Sequence, residues 1–281
     1  MTALTEPLTD PLMQRALLVA LLVGLAAPVI GTYLVQRKLS LLGDGIGHVA
    51  LTGVALGWLV GSAMGLVTRD ALAIPGAVIA AIAGAVVIET VRERTRGGGD
   101  VALALLFYGG IAGGVLLIGL AGGTSANLVG YLFGSISTVS TSDVVLTVVL
   151  CAVLLGVGVG LRPALFAVSH DAEFARAAGL PVRALNVAIA VVAALTVTVA
   201  MRVVGLLLVS ALMIVPVAVA QLVARSFHST MGLAMGLGTA VCLVGLSVTY
   251  WVPLAPGATI VVLAIAVYLV VLLGRGLVPR R

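Results

Sequence analysis

Leu42-Gly-Asp-Gly-Ile-Gly-His-Val-Ala-Leu-Thr-Gly53 opens an apolar stretch that runs on to Gly65 with no further ionisable side chain. A helix needs about 20 such residues to cross a hydrocarbon core of ~30 Å, so this stretch reads as a membrane span. Its two ionisable residues, Asp44 and His48, are then the informative ones. A charged side chain within a bilayer costs from ~2.5 to more than ~10 kcal/mol, and is retained where it faces a cavity, a partner or a transported ion.

The rest of the chain has the same character. It has 281 residues, 62% hydrophobic and 9% charged, with mean hydropathy +1.29, whereas soluble domains carry about one-quarter charged residues. Nine spans are expected, near 14–35, 44–66, 71–91, 101–121, 143–161, 183–200, 203–225, 230–250 and 256–274. The fold class is therefore an all-α polytopic membrane protein, one membrane domain over 1–281. The weakest boundary is Met201-Arg202-Val203, where one Arg interrupts some forty apolar residues; a count of eight follows if one run only dips into the membrane. Residues 1–13 hold Glu6 and Asp10 but no cation, which reads as an extracytoplasmic tail rather than a cleavable signal.

The formal charge of +5 and pI of 9.8 do not indicate nucleic acid, because the cations stand singly between apolar runs. They report topology instead. Arg37, Lys38, Arg92, Arg94, Arg96, Arg162, Arg176, Arg183, Arg225, Arg275, Arg280 and Arg281 fall in one set of alternating connections; Arg15, Arg69 and Arg202 fall in the other. The positive-inside bias then places the N-terminus outside and the C-terminus in the cytoplasm. Cys151 and Cys242 lie within spans and read as packing residues, without metal-ligand or disulfide spacing.

Residues four apart on a helix share a face, so Ser40, Asp44, His48 and Thr52 would form a polar row. One carboxylate oxygen and one imidazole nitrogen at that spacing can share a cation at the ~2.0–2.2 Å typical of zinc. Two ligands do not close a cage, which suits an ion that has to leave again. Counting helical rise from Lys38 places His48 ~15 Å in, near mid-membrane. The structural alternative is a buried polar pair that glues helices together. Beside the row, Gly53, Gly57, Gly61 and Gly65 repeat a small-residue spacing that admits a close neighbour helix, and Gly109, Gly110, Gly113 and Gly114 give the fourth span a similar face.

Two connections are long. Gly122 to Asp143, expected outside, holds Tyr131-Leu-Phe-Gly-Ser-Ile-Ser-Thr and reads as a short interfacial or re-entrant helix. Segment 162–182, expected in the cytoplasm, reads as a short amphipathic helix ended by Gly179-Leu-Pro181, a candidate docking element. His170, Asp171 and Glu173 there read as interface residues rather than ligands. Pro28 and Pro216 would kink their spans, and Arg202 reads as a snorkelling anchor or part of an outer gate. No Gly-x-x-x-x-Gly-Lys-Ser/Thr loop is present: the single lysine, Lys38, follows Arg37. The chain does not bind ATP by that route, and no catalytic constellation supports an enzyme.

Four motifs in order resemble the permeases of zinc- and manganese-uptake ABC importers. They are Arg37-Lys-Leu-Ser-Leu-Leu-Gly-Asp-Gly-Ile-Gly-His48, Tyr131-Leu-Phe-Gly-Ser-Ile136, Asp171-Ala-Glu-Phe-Ala-Arg-Ala-Ala-Gly-Leu180 and Val203-Val-Gly-Leu-Leu-Leu-Val-Ser-Ala-Leu-Met-Ile-Val-Pro216. The resemblance implies a type II importer in the bacterial cell membrane. It implies two permease copies, two ATPase subunits beneath them and an extracytoplasmic metal-binding protein above. Asp44 and His48 become ion-pathway ligands, and Asp171, Glu173, Phe174, Ala175, Gly179 and Leu180 the ATPase-coupling residues. No cofactor is held permanently; Zn2+, favoured over Mn2+, is the cargo. The chain departs from the family at Gly45 and Gly47, where Ala or Ser is frequent, which loosens the helix locally. Two alternatives stay open: a proton-coupled secondary transporter with Asp44 and His48 as the relay, and a non-transporting membrane scaffold.

Overall fold

In lipid, each backbone N–H and C=O has to be satisfied within the chain, and the described residues meet that condition as helices. The computed structural model describes residues 10–65, 69–94, 99–122, 125–134 and 139–277. The helices are α1 (Pro11–Gln36), α2 (Leu42–Ala63), α3 (Ala73–Arg94), α4 (Gly99–Leu120), α5 (Ser125–Phe133), α6 (Thr141–Gly160), α7 (Arg162–His170), α8 (Ala172–Ala177), α9 (Val182–Val204), α10 (Leu206–Val223), α11 (Phe227–Trp251) and α12 (Pro256–Leu277). Nine of the described helices are long and apolar enough to cross a membrane: α1, α2, α3, α4, α6, α9, α10, α11 and α12. They correspond one to one with the nine expected spans.

α1, α9 and α10 form the centre of the bundle. α1 packs on α6, α9, α10 and α11, while α10 also carries α12. α2 lies between α3 and α4 and touches α9 and α10 behind. The close α2–α3 approach comes from glycine: a Cβ on Gly53 would lie 2.4 Å from the Gly76 carbonyl oxygen, and one on Gly57 only 2.1 Å from that of Leu72. The small-residue stripe therefore seats α3, an intrachain neighbour. α4 and α12 are mostly exposed, as lipid- or partner-facing helices are.

Four expectations change in detail. The α9–α10 seam falls at Gly205 (φ +87°) rather than at Arg202. A charge sets how deep a helix sits without breaking it, whereas a positive φ asks for glycine; the Arg202 side chain itself lies outside the described residues. Ser40 belongs to the turn before α2, so the helical row begins at Asp44. That turn is a Schellman close of α1: Leu39 N–H donates to Leu34 O at 2.8 Å and Lys38 sits at φ +58°, in the left-handed region usual at this position. Because α2 starts at Leu42, His48 lies only six residues in, about 9 Å of rise, in a helix of 22 residues. It therefore stands about a third of the way along rather than at the middle. Residues 11–13 belong to α1 rather than to a tail, and residues 1–9 lie outside the described residues.

Segment 162–182 also differs, folding as two helices, α7 and α8, instead of one. Asp171 ends the first and caps the second, its Oδ1 accepting from Glu173 N–H at 3.0 Å and Phe174 N–H at 2.9 Å. Gly179 (φ +80°) closes α8, with Leu180 N–H donating to Ala175 O at 3.0 Å. α5 gives the expected short helix, and its Tyr131 ring meets Trp58 of α2 at 5.9 Å between centroids.

Candidate functional site

Asp44 falls in the first turn of α2, where unpaired backbone N–H groups favour a carboxylate. His48 follows one turn later, with its Nε2 3.9 Å from Asp44 Oδ1. That separation is too long for a hydrogen bond and leaves room for both atoms to approach one cation. Asp44 Oδ1 and His48 Nδ1 are both buried without a hydrogen-bond partner in the protein. Buried polar atoms are nearly always satisfied, so two such atoms one helical turn apart mark the pair as unusual.

The pair is open on the Asp44 side. A cavity of about 420 Å³ is lined by Ser40, Leu41, Asp44, Phe133, Ser210 and Val262, among others. A second, of about 260 Å³, is lined by Leu41, Asp44, Leu103, Ala104, Phe107 and Tyr108. Leu41 and Asp44 form the ridge between them. His48 is more enclosed, its ring and that of Phe107 meeting edge to face with centroids 4.8 Å apart and an interplanar angle of 84°.

The glycines flanking Ile46 differ in role. A Cβ on Gly47 would stand 1.9 Å from Leu206 Cδ1, so α10 crosses α2 there; a Cβ on Gly45 would meet Leu103 at an ordinary 3.4 Å. The departure from Ala or Ser at Gly47 thus reflects packing against α10.

An Asp and a His are a nitrogen and an oxygen donor, a set that suits zinc and manganese alike. Among the described residues no group of three or more His, Cys, Asp and Glu side chains comes together. Asp171, Glu173, Phe174 and Gly179 are exposed on α8 and its cap, Ala175 is buried beneath them and Leu180 half-buried, all remote in sequence from the pair. His170 lies beside Gln36, its Nδ1 3.2 Å from Gln36 Nε2, and stacks on Phe166.

Glu89 was not legible as a site. It is 2% exposed and binds two cations, Arg37 Nη2 at 3.0 Å and Arg92 Nη1 at 2.9 Å. Burial lowers the Arg37 pKa from its ordinary value, and the Glu89 carboxylate opposes that. The triad ties the α1–α2 turn, just ahead of Asp44, to the end of α3. The sequence signal was faint: a lone Glu near the end of a span, facing a cation fifty-two positions away.

The fold and the motif order define a membrane permease. Residues 9–275 match the model of the ABC 3 transport family, and the chain belongs to that family. It is 32% identical to the manganese import system permease protein ScaB of Streptococcus parasanguinis, over 92% of this chain and 89% of that one. It is 30% identical to a probable iron transport system membrane protein of Haemophilus influenzae, over 96% of each. The solved structure of PsaBC from Streptococcus pneumoniae in complex with Fab superposes with a TM-score of 0.82 at 30% identity, over 96% of this chain and 95% of that one. The protein is thus the membrane permease subunit of an ABC transporter, and ATP hydrolysis belongs to a separate subunit.

Proposed function

We propose that this permease carries a divalent transition metal past Asp44 and His48, in a path completed by a second copy of the chain. The observation that carries the reading is the buried, unpartnered Asp44 Oδ1 standing 3.9 Å from His48 Nε2 on one face of α2, with Asp44 opening on two cavities. Two ligands per chain become four about a two-fold axis, and cyclic two-fold dimers are the commonest oligomers. The whole chain acts as one permease domain.

Zinc was the favoured cargo on ligand chemistry. The relatives' names shift the preference to manganese, because zinc outranks manganese in affinity at almost any imidazole–carboxylate site and that order therefore does not identify the cargo. Selection then rests with the protein that delivers the metal. The distribution of cations supports an N-terminus outside and a C-terminus in the cytoplasm. In that orientation α8 faces the cytoplasm, where Asp171, Glu173, Phe174, Ala175, Gly179 and Leu180 dock on the ATPase, and the metal-binding protein sits on the opposite face.

The test is metal accumulation in cells lacking the native permease. Asp44→Ala and His48→Ala are expected to abolish manganese and zinc uptake while the ATPase still co-purifies. Normal accumulation of both metals in both variants would overturn the reading.

A further inference from the structure

Metal-ligating histidines almost always hold their orientation through a hydrogen bond from the second ring nitrogen. His48 has none, since its Nδ1 is buried and unpartnered. Its ring is held by packing, and the packing comes from α4. The Phe107 edge contact covers one side of the imidazole. Three residues further along α4, Gly110 lies against the His48 backbone: a Cβ there would stand 2.8 Å from His48 C and Val49 N, and 2.9 Å from His48 Cβ. Those are backbone atoms and the root of a side chain, which do not give way cheaply.

Thr52 fixes this crossing. Its Oγ1 lies 2.8 Å from the Gly110 carbonyl oxygen and 3.3 Å from that of His48. A hydroxyl has one proton to donate, and the shorter contact takes it. One side chain of α2 therefore ties α2 to α4 at the level of the candidate ligand. α4 packs chiefly on α2 and α3, and exposes Val101, Leu105 and Tyr108 on its other side. Its position relative to α2 is thus set by the α2–α4 crossing itself, and the Thr52–Gly110 bond is a polar contact of that crossing at the level of His48.

We infer that Thr52, Gly110 and Phe107 are positioning residues for His48, so that the seating of α4 on α2 sets how tightly the pair binds a divalent cation. This rests on the reading of Asp44 and His48 as metal ligands. Thr52→Val removes the hydroxyl at nearly constant volume, Gly110→Ala pries the helices apart, and Phe107→Leu frees the ring edge while leaving the helix crossing intact.

The experiment titrates Mn2+ onto the purified permease–ATPase complex in nanodiscs and reads free metal by electron paramagnetic resonance, with His48→Ala as the reference. Loss of a group that orients a metal ligand commonly weakens affinity 10–100-fold. Thr52→Val, Gly110→Ala and Phe107→Leu are expected to raise the Mn2+ dissociation constant by roughly 10-fold. Thr52→Ser, which keeps the hydroxyl, is expected to restore it to near the unsubstituted value. A purely structural role would lower the yield of folded complex and leave the constant unchanged, which overturns the inference. If Gly110→Ala does not assemble, Phe107→Leu decides: an unchanged constant overturns the inference and a weakened one supports it. If His48→Ala itself binds Mn2+ normally, the reading of the pair fails. If His48→Ala loses binding but the α4 variants and Thr52→Val do not, only the present inference fails.

Discussion

At the scale of single residues, the chain holds two kinds of costly polar group, and they behave differently. Glu89 is buried and fully paired, between Arg37 and Arg92. Removing one member of such a cluster leaves uncompensated charge, so Glu89→Ala is expected to cost about 3–5 kcal/mol. The measure is the unfolding temperature of the detergent-purified protein, and an unchanged transition would contradict it. Asp44 is half-buried and His48 buried, at 3.9 Å from each other, and each keeps one polar atom without a hydrogen-bond partner in the protein. The pair was legible because its members are four apart on one helix. The Glu89 cluster was not, because its partners come from different helices and only tertiary packing brings Arg37 and Glu89 together.

At the scale of elements, hydropathy located the nine long helices, since the bilayer fixes both their length and their polarity. It misplaced what depends on backbone conformation. The α9–α10 break follows the positive φ of Gly205 rather than the charge of Arg202, and Ser40 falls in a turn closed by Lys38 rather than on α2. The second short helix, α7, went unseen because Asp171 both ends it and caps α8, a double role that no periodicity signals. Three predictions belong here. Gly53→Val should force α2 from α3 at a cost of about 1–3 kcal/mol, typical of overpacking, read as a lowered unfolding temperature; no shift would contradict the close approach. Asp171→Ala should remove the α8 cap, worth about 1 kcal/mol, and charge reversal of Asp171 and Glu173 together should release the ATPase on co-purification. Undiminished recovery of the ATPase with the double reversal would place the docking surface elsewhere.

At the scale of the whole molecule, the described residues hold nine long apolar helices, and the proposed orientation, drawn from the bias of cations to one set of connections, puts α8 on the cytoplasmic side. Ser142, at the start of α6, and Arg176, in α8 beyond the far end of α6, are exposed, while the native Cys151 and Cys242 are buried. A membrane-impermeant maleimide is therefore expected to label Ser142→Cys on intact cells and Arg176→Cys only after the cells are opened; the reverse pattern would invert the topology. In the proposed function, a second copy faces the first across the Asp44 cavities and completes the metal path. The central claim is that His48 ligates the transported metal. Pulsed electron paramagnetic resonance of Mn2+ bound to the assembled complex tests it directly. The account predicts nitrogen modulation from a coordinated imidazole that disappears in His48→Ala, and the same nitrogen signal in both proteins would contradict it.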